Sequence, residues 1–77
     1  VIYGRFGQAL TILRVATEAD VRQIEGRKLN KTDREALASG SYVVVAEEES
    51  ERLYHQAFLR ADGGSVEITR ALEALIP

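Results

Sequence analysis

The sequence predicts an α+β fold: a small single-layer sheet of about three strands with short helices packed on it. Three observations carry that expectation. Val43-Val44-Val45 is a run of β-branched side chains, which suit a pleated sheet and crowd a helix. Two segments, beginning at Thr17 and Thr32, place a hydroxyl ahead of carboxylates, as helix N-termini do. Near the end, Ile68, Ala71, Leu72, Leu75 and Ile76 recur at helical spacing. With 77 residues the chain predicts one domain, 1–77, because two cores would each bury too little apolar surface. Its first residue is Val1, so a domain excised from a longer chain is expected.

Taken in order, Gly4-Arg5-Phe6-Gly7 predicts a tight turn or bulge, with Tyr3 and Phe6 covering the core. The same four residues match the G-x-x-G of KH-type nucleic-acid clamps. That loop has to join two helices, whereas this one precedes a strand, so the match carries no weight. Residues 8–16, with Thr11, Ile12 and Val15 β-branched, predict a buried strand. Thr17-Glu18-Ala19-Asp20 then starts a helix over 18–25, with Val21 and Ile24 on one face and Gly26 as its stop. Thr32-Asp33-Arg34-Glu35 fits a capping box, and a second helix is expected over 33–39, ended by Gly40.

The next strand is predicted over 41–46. Beyond it the sequence reads two ways. Leu53, Tyr54, Ala57, Phe58 and Ala61 make a helical stripe, yet 53–60 also serves as a third strand returning through the glutamate-rich turn. The strand is preferred because two strands alone rarely stay folded in water. A third helix, capped by Ser65, is expected over 66–76.

Function is harder to read. The chain has no cysteine, so it offers neither disulfides nor thiolate metal ligands, and a cytoplasmic protein is expected. No apolar run approaches the length of a membrane span. His55 is the single histidine, and zinc needs three or four converging ligands, so neither a metal nor a cofactor is expected. An acid or base role for His55 would need an aligned partner. Of the enzyme classes, only metal-free RNA cleavage by His, Arg, Tyr and Glu fits this composition. A strand would turn His55 away from Tyr54, so no enzyme is expected.

Half of all ten cations, Arg22, Arg27, Lys28, Lys31 and Arg34, fall within 13 residues. They form the candidate binding segment, since neutralising phosphates supplies most nonspecific nucleic-acid affinity. The order of helix, basic loop, helix and hairpin also suggests a winged helix-turn-helix, but a wing tipped with Glu47-Glu48-Glu49-Ser50-Glu51 would repel phosphate. Asp20, Glu25, Asp33 and Glu35 interleave with the cations, as they do on a solvated face. The leading expectation is a non-catalytic interaction module that binds a protein partner or self-associates, because Leu29, Leu59 and Ile76 need cover. A nucleic-acid-binding accessory protein is the alternative.

Overall fold

The structure, a computed structural model, describes residues 1–75. Its class is the predicted α+β, but the sheet has five strands rather than three. They are β1 (Ile2–Tyr3), β2 (Ala9–Val15), β3 (Tyr42–Glu47), β4 (Ser50–His55) and β5 (Arg60–Ala61), all antiparallel in the order β4-β3-β2-β1-β5.

The helices follow from their caps. Thr17 Oγ1 accepts from the Asp20 amide, and the Asp20 carboxylate accepts from the Thr17 amide at 2.9 Å. From this reciprocal cap α1 runs over Glu18–Glu25, the predicted limits, and Gly26 stops it at φ 65°. Helix α2 (Lys31–Ala38) begins two residues before the predicted start. Asn30, not Thr32, is its cap: Asn30 Oδ1 accepts from the Asp33 amide at 2.8 Å, and Asp33 returns the bond to the Asn30 amide at 2.9 Å. A side-chain amide three residues before a carboxylate does what the predicted hydroxyl–glutamate pair would have done. Helix α3 (Gly64–Glu73) likewise starts before its predicted position. Ser65 does not cap it; the Gly63 amide donates to Glu67 Oε1 at 2.9 Å instead. The predicted end of this helix at 76, and Ile76 itself, lie outside the described residues.

Strands β3 and β4 form the expected hairpin, paired from Tyr42 with His55 to Glu47 with Ser50. The loop is only Glu48-Glu49, and Glu48 takes a positive φ of 55°. The predicted third strand, 53–60, is corrected. Strand β4 spans 50–55, and the chain then leaves the sheet because His55 Nδ1 accepts from the Ala57 amide at 3.1 Å and Gln56 Nε2 donates to the Gly40 carbonyl at 2.7 Å. A 3-10 turn over Gln56–Phe58 results. From His55 to Arg60 an extended chain reaches about 18 Å at most, less than about 19 Å for four strand spacings, so the sheet is curved rather than flat.

The helices lie on both faces of the sheet. Val43 and Val45 join Ile2, Leu10, Ile12 and Leu59 in the main core, packed against Ile68, Ala71 and Leu72 of α3. Val44 points the other way by strand alternation yet is fully buried, as are Val21 of α1 and, nearly so, Ala36 of α2. Leu59, expected to need a partner, is therefore core, at 2% exposed. Phe6, expected to cover the core, is instead 88% exposed.

Strand β2 is half-buried rather than buried: Leu10 and Ile12 are inside, while Leu13 and Val15 are exposed. A β-bulge lies between Ile12, opposite Val45, and Arg14, opposite Val44. The extra residue reverses the alternation, so Arg14 points to the α1 and α2 face instead of into the core. There Arg14 Nη2 donates to Asp20 Oδ1 at 2.7 Å and to Glu51 Oε1 at 2.9 Å, tying β2 to α1 and β4.

Candidate functional site

The five cations of the candidate segment do not act alike. Arg22, exposed on α1, stands 3.7 Å from Glu18 one turn earlier. Arg27, in the loop between α1 and α2, is exposed yet committed to an ion pair within the molecule. Its guanidinium grips Asp33 with both Nη atoms, Nη2 donating to Oδ1 at 3.0 Å. Asp33 is 1% exposed and also accepts from the Tyr42 hydroxyl at 3.1 Å. The bonds from Arg27, then that from the Asn30 amide, hold its carboxyl well below the usual carboxylate range. Arg27 and Asp33 are thus a structural clamp, pinning the loop to α2 and, through Tyr42, to β3. Lys28, Lys31 and Arg34 are exposed and have no carboxylate partner among the described residues.

His55 is half-buried at the end of β4. Its ring meets Tyr42 edge-on at 5.8 Å and Phe58 at 6.3 Å. Because Nδ1 accepts from the Ala57 amide, Nε2 carries the proton of the neutral ring. As expected for a strand, Tyr54 takes the opposite face, where its hydroxyl accepts from Gln8 Nε2 at 2.8 Å. Arg5, Glu25, Tyr42 and His55 all line one cleft of about 380 Å³. No hydrogen bond joins any two of them; Arg5 lies over the Phe58 ring at 4.6 Å, and the Tyr42 hydroxyl serves Asp33. Among the described residues no three His, Cys, Asp or Glu side chains converge.

The feature that sequence reasoning missed is the position of β4 in the sheet. Among the described residues it is an edge strand, paired with β3 alone. Residues flanking a two-residue hairpin loop exchange hydrogen bonds, so Ser50, Arg52 and Tyr54 bond to β3, in line with Gln56, whose amide donates to the Ser41 carbonyl at 2.8 Å. The amides and carbonyls of Glu51, Leu53 and His55 therefore point outward. This edge is the floor of a groove. On one side stand Ile24 and Glu25 of α1; on the other stand Phe6 and Gln8 of the turn between β1 and β2. The groove encloses about 520 Å³ and continues past Leu53 and Tyr54 into the cleft beside His55 and Phe58. Exposed apolar surface gathers along it: Phe6, Phe58 at 44% exposed, and the half-buried Ile24 and Leu53. Charged side chains on exposed edges usually discourage pairing, but this strand has only Glu51 and Arg52, of opposite sign.

Sequence offers no signal for strand order, since an edge strand and an interior one share composition once both faces are covered. Compared with known proteins, the chain matches no family model, no curated protein and no solved structure. Among the described residues no helix is long and apolar enough to cross a membrane.

Proposed function

We propose that this protein is a non-catalytic interaction module that takes up an extended segment of a protein partner along β4. One observation carries the reading: three successive outward-facing residues, Glu51, Leu53 and His55, present backbone groups with no partner among the described residues, at the floor of a groove whose walls set an apolar beside a polar side chain, Ile24 with Glu25 and Phe6 with Gln8. Strand addition uses such an edge, with main-chain bonds supplying affinity and the flanking pockets selecting alternate side chains. Leu53 and Ile24 offer an apolar subsite on the α1 side, and Phe6 with Tyr54 offers an aromatic one opposite. The test is selection of random eight-residue peptides displayed on phage, against the wild type and Leu53→Pro. Proline removes the central outward amide without touching a bond to β3, and edge strands tolerate it. Sequences enriched on the wild type and lost on Leu53→Pro support strand addition. Equal enrichment on both, with Leu53→Pro folded by circular dichroism, sinks it.

A second reading rests on Lys28, Lys31 and Arg34, which lie together around the start of α2 with no carboxylate partner among the described residues. Three free cations suit phosphate, and the expected behaviour is weak DNA or RNA binding that falls steeply with salt. Anisotropy of labelled DNA and RNA at two salt concentrations checks it. Lys28→Glu with Lys31→Glu should abolish binding, whereas no binding of the wild type at low salt ends this reading.

A further inference from the structure

We infer that the segment taken up by β4 includes the β4 of a second copy, giving an antiparallel homodimer with Leu53 on the two-fold axis; this rests on the strand-addition reading above. The charge pattern of the strand itself, Ser50-Glu51-Arg52-Leu53-Tyr54-His55, selects the pairing. A symmetric antiparallel pair must be centred on one residue, and the free groups of Glu51, Leu53 and His55 can meet their equivalents only if their positions add to an even number. Five centres satisfy this, from Glu51 to His55. Centring on Glu51 sets two carboxylates against each other, and centring on Arg52 sets two guanidinium groups against each other; like charges directly opposite destabilise a pair. Centring on Tyr54 or His55 puts Glu51 or Leu53 opposite the 3-10 turn, where the strand has already ended.

The remaining register, centred on Leu53, is complementary at every position. Leu53 meets Leu53 of the partner subunit. Arg52 faces the aromatic ring of the partner's Tyr54, a cation–π pairing. Glu51 faces the partner's His55, whose Nε2–H, the donor left when Nδ1 accepts from the Ala57 amide, is available to the carboxylate. Glu51 is free to accept it, since Arg14 occupies only Oε1. All three outward residues of each strand are then bonded, and Ile24 and Phe6 gain cover from the second copy.

The absence of native cysteine makes the register directly measurable. Opposed residues in a hydrogen-bonded antiparallel pair have Cα atoms about 5.5 Å apart, within disulfide reach. Residues two positions off the axis lie roughly 14 Å from their own equivalents. Under mild oxidation at micromolar concentration, Leu53→Cys should therefore cross-link to near completion. Glu51→Cys alone and His55→Cys alone should form no covalent dimer, and an equal mixture of those two should cross-link. Wild type should show a native mass twice the 8.5 kDa of one chain, and Leu53→Pro a single-chain mass. A wild-type mass of one chain at every concentration overturns the inference, as does cross-linking of Leu53→Cys no faster than Glu51→Cys. If the protein then still selects peptides that Leu53→Pro does not, only the self-pairing falls; if it selects none, strand addition falls with it.

Discussion

Gly4 shows how one missing side chain can organise a junction. It is buried, and a Cβ there would sit 2.6 Å from Tyr54 Oη and 2.9 Å from Gln8 Cδ. The close approach lets the Tyr54 hydroxyl and the Gln8 side chain meet, joining β4 to the turn between β1 and β2. Gly4→Ala is expected to push this pair apart and cost about 1–2 kcal/mol, measured by urea unfolding. The same substitution made in Tyr54→Phe, which lacks the obstructing oxygen, should cost less; equal costs in both backgrounds would assign the effect elsewhere. Glu48 presents the opposite case, a side chain where none is wanted. At φ 55° in a two-residue loop it occupies backbone space that penalises every residue with a Cβ. Glu48→Gly should stabilise the hairpin by about 0.5–1 kcal/mol, after the extra chain entropy of glycine is subtracted, and raise the urea midpoint with no change of slope.

Among the elements, β2 does the most with the least regular sequence. Its bulge sends Arg14 to the face where Asp20 and Glu51 wait, while Leu10 and Ile12 keep to the core. Deleting Leu13 would remove the extra residue and leave Arg14 opposite Val44 and Val15 opposite Val43 as they are now, in an unbulged ladder. The deletion is therefore expected to leave the protein folded by circular dichroism with the Arg14 anchor in place, and Leu13→Ala, at a residue already 37% exposed, should alter stability by less than about 1 kcal/mol; unfolding on deletion would mean that the bulge itself is needed. Nothing in the residues Ala9 to Val15 announces a bulge, because an extra residue is recognised only against its partner strand. The same limit explains the other gaps. Helix α1 was legible to the residue because Thr17, Asp20 and Gly26 act locally, and the Val43 to Val45 strand because β-branching is local. Strands β1 and β5 have two residues each, too few for any period to register. The edge of β4 was invisible for a related reason: which strand lies outermost is decided by the whole sheet. In the basic segment, charge was readable but pairing was not, and Arg27 turned out to serve Asp33.

For the whole molecule, the two helical caps on one face of the sheet double as electrostatic anchors, and this sets how stability depends on pH. Asp20, held by Arg14 and then by the Thr17 amide, and Asp33, held by Arg27 and then by the Asn30 amide, both have their acidity strengthened on folding. A carboxyl with a lowered folded pKa contributes stability that is whole above its unfolded value, about 3.9, and is lost as pH falls toward the folded one. Tyr42 moves oppositely: burial, then its bond to Asp33, raises it. Its contribution is whole below an unfolded value of about 10 and disappears as pH rises through the folded one. Thermal unfolding should therefore give a plateau in Tm from about pH 5 to 9, a steep fall on the acid side and a shallower fall on the alkaline side. Asp33→Asn should lower the plateau by roughly 10 °C and flatten the acid limb, because the amide cannot satisfy Arg27 and has no proton left to gain. Tyr42→Phe should remove most of the alkaline limb and leave the acid limb steep. An acid limb unchanged in Asp33→Asn would mean that the clamp between the α1–α2 loop and β3 is not what holds this face together.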